Sequence, residues 1–298
     1  MWDIFIVLTK VGFYAASMAV IGAIFSSALF ARSSESLVKQ VCTYGLKSCG
    51  LAAFFCVSSF LIQVGSASQS GLSGLFDKVI LPILWNSSVG DSLETRLIGL
   101  LFTGFGLVLL LFRARAAIYL AWIMLVIGTV LISLSFFLSG HTQSLGWLAQ
   151  AAIAIHFLAV ACWIGSLLPL YWSTKRLSTH DFAPLLTRFG HLALVFVIAL
   201  IVAGGYLIFA LLGSPLNLFK STYGGGLILK FSLVLILLLL AARNRYSLVP
   251  QIVQASDKSD EEDAAIGEFR VTVVFEMAFA FFILLVTALI TSLTGPYA

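Results

Sequence analysis

The stretch FRVTVVFEMAFAFFILLVTALITSLT, Phe269–Thr294, runs 26 residues with Glu276 in an almost wholly apolar setting. A hydrocarbon core of about 30 Å takes roughly 20 apolar residues of helix, so this stretch is long enough to cross a membrane. A second such stretch, GWLAQAAIAIHFLAVACWIGSLLPLYW (Gly146–Trp172), carries His156 near its centre. Working outward from these two gives eight spans, at about 11–31, 43–65, 94–112, 116–138, 146–172, 189–213, 225–242 and 269–294. Backbone groups in lipid must pair within the segment or in a closed barrel, and runs this long exceed barrel strands. The sequence therefore predicts an all-α, polytopic membrane protein with eight transmembrane helices, forming a single domain over residues 1–298.

Composition agrees. The chain is 60% hydrophobic and 10% charged, against roughly 25% charged residues in soluble domains. Lys and Arg near span ends are retained on the cytoplasmic side. With the N-terminus outside, the cytoplasmic flanks collect Arg32, Lys39, Lys47, Arg113, Arg115, Lys175, Arg176, Arg188, Arg243, Arg245, Lys258 and Arg270, which is 12 of the 17 basic residues. Lys10, Lys78, Arg96, Lys220 and Lys230 remain for the outer side, and both termini are predicted to be periplasmic. The net charge of +4 is then a topogenic signal and calls for no nucleic-acid partner. The first segment lacks a basic n-region and an obvious small-residue cleavage site, so it reads as a retained helix. The loop 65–93 contains Leu75–Trp85, too short to span and suited to the outer interface.

Ionisable and soft groups inside such spans mark sites or pathways more often than they do in soluble cores. His156 falls about nine residues inside the boundary at Trp147, ~14 Å deep. Two readings stand for it. One is a neutral imidazole tying two helices together, a contact worth about 0.6 kcal/mol; the other is a metal, haem or proton-relay ligand. Ala152, Ala159 and Trp163 share its face, Gly165 and Ser166 permit close helix approach below, and Pro169 predicts a kink that frees the Gly165 carbonyl.

His141 sits at the outer end of the fourth span, within reach of solutes. A carboxylate at the depth of Glu276 calls for a proton or a partner, and Lys230 and Arg270 are the structural candidates. His191 is expected near the cytoplasmic surface, where it would serve as an exit station, with His180 in the adjacent loop. Cys42, Cys49 and Cys56 recur every seven residues on the second span, ~10.5 Å apart, too far for one metal to bridge two of them. They read either as small residues at a helix contact or as thiolate stations for Cu(I), with Cys162 a fourth soft group. GxxxxGK[ST], HExxH and GxSxG motifs are missing from the sequence, which argues against ATP-driven transport by this chain alone.

The order of several of these residues resembles a known family. Ser139-Gly140-His141, then Ile155-His156-Phe157 through Cys162-Trp163-Ile164-Gly165-Ser166 to Pro169, then Arg188-Phe189, Thr222-Tyr223-Gly224 with Lys230, Asn244-Arg245, Pro250 and finally Glu276 are similar to the copper resistance protein D family of bacterial inner-membrane proteins. The resemblance covers about residues 139–294. It departs at the first span, which offers Phe13-Tyr14 where members often carry a histidine, and at Gly190, where Arg-Phe-Ser is usual.

The resemblance implies copper movement across, or copper binding within, the inner membrane, commonly with a small periplasmic copper-binding partner. The reading taken from it is copper transport, as Cu(I) or Cu(II), with import toward the cytoplasm assumed and not deduced. His141 and His156 are the metal ligands it carries over; Glu276, Trp163, Cys162, His191 and Cys56 are pathway candidates. Such a chain is a transporter more than an enzyme. The alternatives are a membrane cytochrome holding haem b as a quinol-linked copper oxidoreductase, and a sensor or scaffold that moves no copper.

Overall fold

The computed structural model describes residues 2–112, 115–138, 145–212, 222–254 and 259–293. In chain order the helices are α1 (Trp2–Phe30), α2 (Glu35–Ser68), α3 (Ile80–Trp85), α4 (Ser88–Phe112), α5 (Arg115–Leu134), α6 (Trp147–Ile164), α7 (Leu167–Ser173), α8 (Thr179–Leu212), α9 (Thr222–Arg243), α10 (Val249–Gln254) and α11 (Ser259–Leu293). Eight helical segments are long and apolar enough to cross a membrane, α6 with α7 forming one and α9 through α10 another. No strand occurs among the described residues. The eight spans match the sequence expectation in number and order, but most run well past their apolar cores.

Because of that overrun Lys10 and Arg96, assigned to the outer side from the sequence, fall within α1 and α4, each about two turns from the helix start. Both are tolerated because the far ends of other helices supply partners. Lys10 Nζ donates to the Thr291 carbonyl at 3.0 Å and to Ser292 Oγ at 2.9 Å on α11. Arg96 donates Nε to Ser135 Oγ at 3.2 Å and lies 4.6 Å over the Phe13 ring and 5.5 Å over Phe136. Charged groups at this depth persist where the bundle interior satisfies them.

The helices form two groups joined by α1. One comprises α1, α2, α4 and α5, and the other α6, α8, α9 and α11, with α1 packed on both α6 and α11. Small residues set the close crossings. A Cβ placed on Gly22 of α1 would fall 2.0 Å from the Gly165 carbonyl carbon, and one on Gly165 would fall 2.0 Å from the Met18 oxygen. The two backbones touch there. The Gly165-Ser166 break that separates α6 from α7 lies four residues before Pro169, which has no N–H to offer the Gly165 carbonyl. The α-helix is interrupted where Pro169 predicts it.

The cysteine stripe of α2 is part of the first core: Cys42, Cys49 and Cys56 are buried, and Cys49 Sγ pairs with Thr103 Oγ1 of α4 at 3.6 Å. Between α2 and α4, a 3-10 turn (Gly71–Phe76) and α3 expose Leu72, Phe76, Val79, Ile83 and Trp85, the surface an interfacial segment presents to headgroups. Asp77 joins the two. Its Oδ1 accepts from the N–H of Val79 at 2.8 Å and of Ile80 at 3.1 Å, and Ser68 donates to its Oδ2 at 2.7 Å. These bonds to the ionised form hold its carboxyl below the usual range.

Candidate functional site

His156 is about two and a half turns into α6, where the run of Ala and Ile around it leaves the helix to be fixed by its neighbours. Its ring faces α8 at a glycine: a Cβ built on Gly204 would stand 3.5 Å from both Nδ1 and Cε1. Gly204 is the reason the imidazole fits between the two helices. The ring is also hydrogen-bonded to the Leu200 backbone of α8, with Lys230 of α9 in its neighbourhood. Nδ1 is buried with no hydrogen-bond partner. An unpartnered buried polar atom costs about 1–3 kcal/mol, so a ring present only to tie helices together would be a poor use of the position.

Seven residues along α6, about 10 Å by helix rise, Trp163 is buried at 4% exposure. It lines a cavity of about 140 Å³ enclosed by α6, α8, α9, α10 and α11. At about 30 Å³ per water this is room for several water molecules or an ion. The α8 wall is apolar, formed by Phe189, Gly190, Ala193 and Val197; the polar groups come from Asn244, Arg245 and Glu276.

Glu276, 3% exposed, is held by a neutral partner. Asn244 Nδ2 donates to its Oε1 at 2.9 Å. Neither of the cations expected to pair with it does so. Arg270 donates Nε to Thr174 Oγ1 at 2.8 Å and Nη2 to the Thr174 carbonyl at 2.6 Å, tying α11 to the end of α7; Lys230 lies up at the His156 level. Arg245 donates Nη1 to the Gly190 carbonyl and lies 5.6 Å from the Tyr246 ring.

Asn244 reaches the cavity because the helix changes pitch there. Asn244–Leu248 form a π-turn, in which the N–H of Val249 goes back five residues to the Asn244 carbonyl. Pro250 follows, with no N–H to give the Tyr246 carbonyl, so the ordinary α ladder is interrupted at this point. Single π-turns inside α-helices recur at functional sites. The amide oxygen, Asn244 Oδ1, is buried without a partner.

The remaining candidates are more dispersed. His141 lies outside the described residues. Cys162, next to Trp163 in sequence, is half-buried and packs toward the first core. Cys56 is 2% exposed and is hydrogen-bonded by Arg96 on the far side of α1. His191 is exposed, on the face of α8 opposite the cavity, with its Nδ1 2.7 Å from the Thr187 carbonyl of its own helix. It is 13 residues from Gly204, about 20 Å by helix rise. His180 starts α8 and is exposed beside Asp181. Among the described residues no three His, Cys, Asp or Glu side chains converge as a metal site. Asn244 was named in sequence only within the family pattern, and its role as the partner of Glu276 had no signal beyond the nearby Pro250.

Residues 183–290 match the family model for copper resistance protein D. Over 117 residues the chain is 38% identical to Inner membrane protein YebZ of Escherichia coli (strain K12), a match taking in 37% of this chain and 39% of that relative, so the chain spans about two-fifths of the relative's length. No solved structure matches. The family-model match contains Asn244, Arg245 and Glu276 but not His156 or Trp163, of which Trp163 lines the same cavity from α6. Residues 183–290 are thus similar to copper resistance protein D, in a chain whose described residues include eight helical segments long and apolar enough to cross a membrane.

Proposed function

We propose that the protein carries copper across the bacterial inner membrane, taking it from a small periplasmic copper-binding protein and passing it toward the cytoplasm. The reading rests chiefly on His156, whose Nδ1 is buried and unpartnered between α6 and the Gly204 gap of α8. Imidazole is a good ligand for copper in either oxidation state. A lone ring suits a station on a route better than a storage site, because one protein ligand releases its ion readily. In this proposal copper docks near His141, is held in passing by His156, and continues past Trp163, helped by the charge and protonation of Glu276. Both termini face the periplasm, which puts the His141 end outside and the cluster of basic residues inside.

The test is copper binding and flux. Purified protein in liposomes, loaded with copper with and without a periplasmic fraction, should move copper inward, and His156→Leu should abolish the movement while the protein stays folded. Unchanged flux and unchanged copper tolerance of cells carrying His156→Leu would refute the route. A visible spectrum of the same preparation decides the redox alternative: a Soret band that disappears in His156→Leu would replace transport by a b-type cytochrome.

A further inference from the structure

The chemistry at Glu276 differs from that at His156. The groups at the inner cavity are oxygens, with a carboxylate from α11 and an amide from the π-turn, whereas copper handling favours imidazole and sulfur, above all for Cu(I). Glu276 is deeply buried, and the one hydrogen bond found on its carboxylate comes from a neutral amide. Burying a carboxylate with only a neutral partner costs several kcal/mol unless a proton or cation compensates it.

The charged and titratable neighbours do not fill that role. Among the described residues lining the cavity, Arg245 and Tyr246 are the others of this kind; Arg245 is committed to the Gly190 carbonyl, and α6 and α8 contribute no charge to the wall. Arg270, on the same helix as Glu276, is taken by Thr174, and Arg243 reaches outward to Glu268 at 3.1 Å. Asn244 also lines the cavity, is 7% exposed, and its Oδ1 has no donor. A buried carboxyl group and an unsatisfied amide oxygen on adjoining side chains, at the edge of a cavity large enough for an ion, have the composition of a hard-cation site.

We propose that Glu276 and Asn244 bind a hard monovalent cation, H⁺ or Na⁺, separate from copper. A proton on the carboxylate would donate to Asn244 Oδ1 and close a two-bond acid–amide ring; Na⁺ would sit between the same oxygens with cavity water completing its shell. Either ion satisfies the orphaned amide oxygen and the buried carboxylate together. As the ion that drives transport, the site rests on the copper reading above; as a binding site, it does not.

The experiment is charge-displacement recording on wild-type proteoliposomes adsorbed to a solid-supported membrane, with copper binding measured on the same preparations. A Na⁺ jump at constant pH and a pH jump in Na⁺-free choline buffer are applied separately. A transient current in the Na⁺ jump identifies Na⁺ as the occupant, and a current in the pH jump alone identifies the proton. Glu276→Gln should remove the response, Asn244→Leu should shift its half-saturation by about tenfold, and His156→Leu should keep it. Should Asn244→Leu fail to fold, Glu276→Gln and the wild type carry the test. Silence of the wild type in both jumps, or a full response in Glu276→Gln, overturns the proposal. Copper binding without any ion current sinks the cation site and leaves the copper reading standing, and ion current without copper binding does the reverse.

Discussion

Gly22→Ala tests how far the position of the site depends on a single backbone crossing. The added methyl would lie 2.0 Å from the Gly165 carbonyl carbon, 2.2 Å from its oxygen and 2.5 Å from its Cα, where ordinary contact begins at 3.4 Å. All three atoms are backbone, so no side chain can rotate away, and α1 and α6 must separate by about 1.4 Å. A gap of 0.5–1 Å already forfeits a quarter to a half of each dispersion contact along the seam. The cost belongs at the upper end of overpacking, about 3 kcal/mol. At roughly 2–4 °C per kcal/mol for chains of this size, the thermal midpoint in detergent should fall by about 6–12 °C. Copper binding should weaken as well, because Trp163 and His156 ride on the displaced helix. Gly205→Ala is the control, since its Cβ would meet nothing within 4 Å, and helix propensity alone should leave it neutral or up to about 1 kcal/mol more stable. Gly165→Ala disturbs the same contact, so the double variant should cost less than the two single costs together. A wild-type midpoint and copper affinity in Gly22→Ala would refute the claim that this crossing positions the site.

Further outcomes follow from other contacts. His156→Leu removes an unsatisfied buried nitrogen together with the ring's hydrogen bond to the Leu200 backbone, and should keep the protein within about 2 kcal/mol of wild type while copper binding is lost; a larger fall would mean that the ring is a helix tie after all. Arg270→Ala abandons two hydrogen bonds to Thr174 and should destabilise by about 1–3 kcal/mol, read as faster hydrogen exchange at the α7 end. Asp77, held below its ordinary range by Ser68 and the Val79 and Ile80 amides, should lend its support to the Gly71–Trp85 segment at all pH above the normal carboxylate value and lose it as pH falls through the lowered one. Exchange protection in that segment, corrected for the intrinsic pH dependence of amide exchange, should fall in acid, and Asp77→Asn should show the same fall at neutral pH. Reporter fusions at the two ends of the chain should both register the periplasm.

The linear pattern was enough for the number and order of the spans, because a lipid core imposes one length and one composition on every crossing helix and leaves the backbone no alternative to pairing within it. It also singled out His156 and Glu276, since an ionisable group amid 20 apolar neighbours is conspicuous whatever surrounds it. The break below Trp163 was legible for a similarly local reason, the missing N–H of Pro169. What surrounds those groups had no such local signature. That Glu276 is met by Asn244 in place of Lys230 or Arg270 depends on a one-residue change of pitch in α9. The partners of Lys10 and Arg96 depend on how far the helices continue past their apolar cores. Whether His156 has a partner depends on Gly204, 48 positions away in sequence. Hydropathy is a property of one segment, whereas the partner of a side chain is fixed by the rotation and spacing of two, and those were decided when glycine backbones at Gly22 and Gly165 brought the helices into contact.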